Sequence, residues 1–402
     1  MQAGLPALFW RRPEGQTRLL SIGQTQTFVG SGAQAMARAQ EWLEQVAWEQ
    51  PPRAGLPRAW FASTFDQEPG QDKWLGWPGF QLVLPQLVIS ERADQSECLV
   101  QGLSEADLEH GRELLTDLLQ GSGRASKLGV SVSDECSWAE SPSAFAARVA
   151  ATTQVLGDDL HKVVLANCRH HHYATSPLDS VLENLLTNPR DGIHFAYTHG
   201  NDAVLAGCTP ETLVRQKGTK LSAHVLAGTR RIGVEGAAQD LLNSAKDRRE
   251  HDLVATGMLE SLDPLVRSLS IPEEPKVRSL THLHHLERHL EGETHSGTGF
   301  LDLVSALHPT PALGGYPQAS ALEFLRQSEG LERGGFGAPF GWISGPRHGH
   351  AAVAIRSALL RGDAASVFAG AGVVAQSDPH LERAEIDAKI LSIETELLGL
   401  NS

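Results

Sequence analysis

The chain is short of basic residues, of sulfur and of long apolar runs, and each shortage removes a class of function. Lys and Arg total 34 against 48 Asp and Glu, for a formal net charge of −14. No broad basic face is therefore expected for a nucleic-acid backbone, although a local basic pocket for a small dianion is compatible with that balance. Cys98, Cys136, Cys168 and Cys208 form no CxxC pair and no dense framework, so they read as reduced thiols in a cytoplasmic protein. The longest apolar stretch, 82–89, is interrupted by Pro85 and Gln86 and is far too short to span a bilayer. Residues 1–13 lack the apolar segment of an export signal, so neither a membrane nor an export role is expected.

The 402 residues suffice for two ordinary domains or one large one. Histidine is plentiful, at 18 residues, and the clusters His170-His171-His172 and His282-Leu283-His284-His285 suggest metal binding at first sight. Neither has the HExxH arrangement, nor cysteine or carboxylate companions at fixed spacing, so a solvated surface is the expected setting and zinc is not expected.

Periodicity predicts a mixture of elements. A strand-like piece at 81–89 precedes a helix at 104–120, opened by Ser104 with Asp107 three residues on. The segment 121–126, Gly-Ser-Gly-Arg-Ala-Ser, reads as a loop. Pro142 opens a second helix to about 156, and the β-branched run from Lys162 to Ala166 suits a buried strand. Further strands are expected at 193–197, 203–205, 353–359 and 366–369. Two long helices are expected at 237–262 and 379–398. The second has Asp378 as its cap, Pro379 in the first turn and Gly399 as its stop. On it Ile386, Ile390, Ile393 and Leu397 form the apolar stripe, with Glu382, Glu385 and Lys389 on an adjoining face. Many short strands mixed with long helices, without regular βαβ alternation, predict an α+β fold.

Several residues carry possible chemistry. A lysine at the start of a buried strand, Lys162, is disfavoured in its charged form and becomes a candidate base, unless it reaches back to solvent. Glu211 follows a tight turn at Thr209-Pro210. Asp247 and Glu250 share a helix face, and Glu385 with Lys389 has the spacing of an ordinary surface pair. Taken singly, each of these residues has an unremarkable surface explanation.

Their order along the chain changes the reading. Lys162-Val163-Val164-Leu165, Gly207-Cys208-Thr209-Pro210-Glu211, Ala227-Gly228-Thr229-Arg230, Lys246-Asp247-Arg248-Arg249-Glu250-His251, His308-Pro309-Thr310, Pro339-Phe340-Gly341-Trp342, Ile355-Arg356-Ser357, Gly370-Ala371-Gly372 and the helix from Glu382 to Lys389 follow one another. Over about 140–398 this succession resembles the chorismate-binding enzymes, and within them the isochorismate synthases; the first 130 residues match by position only. The resemblance implies one large α+β unit of stacked antiparallel sheets with outer helices, 1–130 being a divergent part of the same unit and 131–402 the catalytic region.

The same resemblance implies roles. Lys162 would activate water for attack at C2 of chorismate and Glu211 would protonate the departing C4 hydroxyl. Glu250 and Glu385 would bind Mg2+, with Glu382 and Asp247 holding its waters. Arg356 would grip a carboxylate in two-point fashion, with Lys389 as a second cation. Gly228, Thr229, Gly370, Ala312, Leu313 and His308 would line the substrate pocket. Anthranilate synthases have glutamine in place of Lys162, and aminodeoxychorismate synthases need a glutaminase partner, which is not expected here. Salicylate synthases share Lys162 and Glu211 but resemble Thr-Ala where this chain has Ala312-Leu313. They remain the alternative, with a non-catalytic chorismate binder behind them. Asn167, Phe336, Ala338 and Cys208 depart from the commoner residues, which bears on substrate affinity more than on reaction type.

Overall fold

A computed structural model describes residues 4–12, 17–46, 56–92, 95–120, 132–188, 190–281 and 283–400. Two large sheets organise these residues. The eleven-stranded sheet runs, neighbour to neighbour, through Gly315–Tyr316, Lys162–Tyr173, Ala364–Val374, Ser357–Arg361, Ala203–Thr209, Ile193–His199, Pro6–Arg12, Thr17–Ile22, Leu87–Arg92 and Gln95–Val100, with Val132–Trp138 also pairing Lys162–Tyr173. The ten-stranded sheet runs through Val266–Ser270, Leu283–Thr294, Lys220–Arg231, Thr212–Lys217, His348–Val353, Pro339–Gly345, Ala59–Ser63, Phe80–Leu84 and Gln26–Gly30, with Lys276–Ser279 against Leu283–Thr294. Every pairing between described strands is antiparallel. The fold is α+β, with the sheets stacked through their apolar faces. Phe195 and Tyr197 of the first sheet meet Phe340 of the second at centroid separations of 4.3 and 5.4 Å, and Trp10 closes on the same ring at 5.5 Å. Among the described residues no helix is long and apolar enough to cross a membrane.

The apolar stripe of the last helix packs as its spacing predicts. Ile386, Ile390, Ile393 and Leu397 are all buried, at about 1.5–3 kcal/mol for each side chain removed from water. The helix spans Pro379–Ile393, capped by Asp378 through the backbone N–H groups of His380 and Leu381. It then widens into a π-helical turn, Glu394–Leu398, before Gly399 stops it at φ 69°. Helices Glu105–Gln120 and Pro142–Val155 lie where they are expected; the 121–126 loop falls outside the described residues.

Three expected elements are broken, each for a local reason. The piece at 81–89 is two strands, and Pro85-Gln86 carries the chain from the second sheet to the first. The helix at 237–262 is Ala237–Asn243 followed by Ala245–Leu262, because Ser244 is extended and caps the second helix by accepting from Asp247 N. The strand at 353–359 is His348–Val353 in the second sheet and Ser357–Arg361 in the first; between them Arg356 takes φ 52°.

The histidine clusters are not uniformly solvated. His171 and His285 are buried, because alternate side chains of a strand face inward. His171 Nε2 lies 2.7 Å from Glu394 Oε1, a carboxylate that Arg169 also holds at 3.0 Å. His172 is exposed, and His282 lies outside the described residues.

Candidate active site

Two points where the chain passes between the sheets, at Glu211 and at Arg356, line one cleft. Lys162 enters from the first residue of its strand. Its side chain is 1 % exposed, so it does not reach back to solvent, and Nζ lies 3.0 Å from Glu250 Oε1. The adjacent strand Ala364–Val374 places Gly372 opposite Val164. A Cβ at Gly372 would collide with Glu250 Oε1 and approach Lys162 Cε to 2.9 Å, so glycine here is what lets the two side chains meet.

Glu211 joins Ala203–Thr209 of the first sheet to Thr212–Lys217 of the second. Its backbone is fixed on both sides: its N–H donates to Thr209 Oγ1 at 3.2 Å, and its carbonyl accepts from Val353 N at 3.2 Å. Burial pushes the Glu211 carboxyl up to about 7, against the downward pull of Lys162 and Lys389. A carboxyl in that range can hold a proton near neutrality and pass it on.

Gly228 sits at a β-bulge. The register between Lys220–Arg231 and Leu283–Thr294 shifts between Ala227 and Thr229, and Gly228 has φ 78°, a conformation that glycine adopts without strain. The bulge presents Gly228 O and Thr229 Oγ1 to His285 Nδ1, each at 3.2 Å. On the other side of the ring, Arg356 Nη2 donates to His285 Nε2 at 3.2 Å. That contact assigns the ring proton to Nδ1. His285, lowered well below its ordinary pKa by burial and then by Arg356, is a neutral spacer that aims the guanidinium. Arg356 itself carries a left-handed backbone, uncommon for a non-glycine residue and characteristic of sites that store strain.

Lys389 Nζ binds Glu385 Oε1 at 2.6 Å and Gly370 O at 2.7 Å, tying the last helix to the strand beside Lys162. Ala312 and Leu313 complete the wall. Their loop is pinned by Arg333, which donates to Leu313 O at 2.7 Å and to Val164 O at 2.6 Å while paired with Glu329. The cleft thus brings together Lys162, Glu211, Gly228, Thr229, Glu250, Ala312, Leu313, Arg356, Gly370, Glu385 and Lys389. His308 is the exception. It does not line the cleft; it is buried behind the loop with Nε2 2.9 Å from Phe65 O, because the ring packs edge-on against Phe65. Asp247, bound to Arg230 at 2.5 Å, and Glu382 stand just behind the lining.

His285, Arg333 and Gly372 escaped the sequence reading. Gly372 had a visible signal in Gly370-Ala371-Gly372, and His285 stood in a histidine cluster expected to be solvated, whereas Arg333 had no signal beyond residue type. Of the departures, only Phe336 lines the cleft, stacked on Phe368 at 5.4 Å. Asn167 instead bridges Glu140 O and Cys168 N, and neither Ala338 nor Cys208 reaches the cleft.

The carboxylates are arranged around lysines. Lys246 Nζ lies 2.9 Å from Glu382 Oε1 and 3.8 Å from Glu250 Oε2. Burial, and then Glu385, push Glu382 up to about 7. Enclosure also pushes the Glu385 carboxyl up, but Lys389 and Lys246 outweigh it and hold the group below the ordinary carboxylate range. Among the described residues no cluster of three His, Cys, Asp or Glu side chains is set to hold a metal. The donor set nevertheless suits a hard cation, being all carboxylate oxygen with an ammonium already standing among it.

Residues 2–398 match the family described as chorismate binding enzyme. The chain belongs to that family. It is 32 % identical over 412 residues to the salicylate biosynthesis isochorismate synthase of Pseudomonas aeruginosa, covering 98 % of this chain and 85 % of the relative. The solved structure of MenF, the menaquinone-specific isochorismate synthase from Escherichia coli, superposes with a TM-score of 0.82 at 22 % identity over 98 % of this chain and 88 % of that one. Anthranilate synthase component I from Streptococcus pneumoniae superposes with a TM-score of 0.76 at 19 % identity, over 96 % and 89 % of the two chains. At those identities the two structures establish the shared fold of this chorismate-binding enzyme.

Proposed function

We propose that this chain is an isochorismate synthase that interconverts chorismate and isochorismate. The observation carrying the proposal is that Lys162 and Glu211, a strand-borne amine and a carboxyl raised to about 7 by burial, line one enclosed cleft, in a chain with an isochorismate synthase relative along 98 % of its length. Lys162 takes a proton from water as it adds at C2; Glu211 gives a proton to the hydroxyl leaving C4, and the roles exchange on the return path. Arg356, aimed by His285, and Lys389 receive the carboxylates, while Thr229, Gly228 and Gly370 border the ring. Leu313, held by Arg333, fills the space into which the enolpyruvyl group would turn to eliminate.

Mg2+ would be held by Glu250 and Glu385, with Glu382 and Asp247 behind them, and when bound it supplies positive charge for a substrate carboxylate. A lysine base delivering water removes the need for ammonia, so no glutaminase partner is assigned. The setting is the cytoplasm, and the product serves menaquinone or catechol siderophore synthesis. Residues 131–402 form the catalytic region and 1–130 belong to the same unit. Incubation with chorismate and magnesium, followed by chromatography, tests the reading: isochorismate supports it, stoichiometric salicylate and pyruvate point to a salicylate synthase, and binding without turnover points to a non-catalytic protein.

A further inference from the structure

The carboxylate end of the cleft already contains a cation. Lys246 and Glu250 lie one turn apart on Ala245–Leu262, while Glu382 and Glu385 come from Pro379–Ile393. The Lys246 ammonium stands between these helices, 2.9 Å from Glu382 and 3.8 Å from Glu250. We propose that Lys246 is a built-in counter-cation that holds these carboxylates together while magnesium is away and must withdraw from them when it enters. It thereby sets the affinity for the metal. The inference rests on the magnesium reading above and adds to it a residue that competes for the same oxygens.

Two observations lead to it. First, Lys162, Lys246 and Lys389 contact the three carboxylates Glu250, Glu382 and Glu385. A dication added beside an unmoved ammonium would meet like charge at short range in a weakly screened site. Second, only one of these lysines has a ready exit. The Lys246 side chain is 27 % exposed, against 1 % for Lys162 and 17 % for Lys389, and its flexible stem can carry the ammonium into water, whereas Lys389 is fastened to Gly370 O as well as to Glu385.

The test measures metal binding without substrate. Magnesium is titrated by calorimetry into wild type, Lys246→Met and Lys246→Arg after chelation, and each protein is melted in EDTA and in saturating magnesium. Lys246→Met is expected to bind Mg2+ on the order of tenfold more tightly, to melt below wild type in EDTA and to recover most of that loss with magnesium. Lys246→Arg is expected to behave as wild type. In parallel, amine labelling of wild type read by mass spectrometry should show Lys246 becoming more reactive on magnesium addition, which decides the question if Lys246→Met does not fold. Unchanged or weaker Mg2+ binding by a folded Lys246→Met, or labelling of Lys246 indifferent to magnesium that does bind, overturns the proposal and leaves the metal reading intact. No Mg2+ binding by any of the three proteins overturns both.

Discussion

Lys162 Nζ lies 3.0 Å from Glu250 Oε1, in a site where the lysine side chain is 1 % and the carboxylate side chain 10 % exposed. The proposed base and a proposed metal ligand are therefore one electrostatic unit. Breaking such a buried pair by removing one partner typically costs about 3–5 kcal/mol. Glu250→Gln is expected to melt well below wild type yet remain folded, and to need more magnesium for the turnover it retains. EDTA is expected to abolish wild-type turnover and magnesium to restore it. Full activity after exhaustive dialysis against EDTA contradicts the metal assignment.

Glu211 makes stability depend on pH. Its folded pKa of about 7 stands above an ordinary value of 4.5, chiefly through burial. Between about 4.5 and about 7 the folded chain therefore keeps a proton that the unfolded chain releases. Stability from this group is fully present below that window and is lost as pH rises through it, by about 3 kcal/mol in all. Glu211→Gln, permanently neutral, is expected to match wild type near pH 4.5 and to exceed it by up to about that amount at pH 8. Denaturant melts across this range check the prediction; a difference that does not grow with pH refutes it.

Leu313 is 6 % exposed and lines the cleft. Leu313→Ala opens room for the enolpyruvyl group, so pyruvate release should rise above the low wild-type level, as measured by a coupled dehydrogenase assay. Unchanged pyruvate from a folded Leu313→Ala protein dissociates this side chain from product choice.

How much of this was legible in the sequence varied with the kind of information needed. The last helix was legible because Asp378-Pro379, the Ile386 to Leu397 stripe and Gly399 all act locally. The α+β mixture was legible for the same reason. The sheet-crossing at Arg356 was not: Val353 to Leu359, apolar on either side of Arg356-Ser357, reads as one strand, and nothing local announces a left-handed arginine. The inward turn of His285 depended on which alternate residues of Leu283–Thr294 face Gly228, a long-range pairing. His308 lay in a matching motif, yet its ring is taken up by Phe65, which is 243 residues away in sequence. Ordered motifs thus located the cleft lining, while the residues that brace it depended on tertiary contacts.

Arg356 receives from His285 a fixed direction as well as a partner. Lysine keeps the charge but not the planar fork, so Arg356→Lys is expected to raise KM for chorismate roughly tenfold to a hundredfold, corresponding to the loss of a charge-assisted hydrogen bond. The effect on kcat should be smaller. Steady-state kinetics separate the two, and an unchanged KM removes Arg356 from substrate binding.

The most direct test of the acid and base assignments is turnover of Lys162→Ala and Glu211→Gln, followed by chromatography, with chorismate binding measured by calorimetry on the same preparations. Each substitution deletes a positioned proton transfer, a step that typically contributes about a hundredfold to ten-thousandfold in rate. Both variants are expected to lose turnover on that scale while still binding chorismate through Arg356, Lys389 and the metal site. A Lys162→Ala protein that turns over within about threefold of wild type, far below the general-base contribution, would contradict the account.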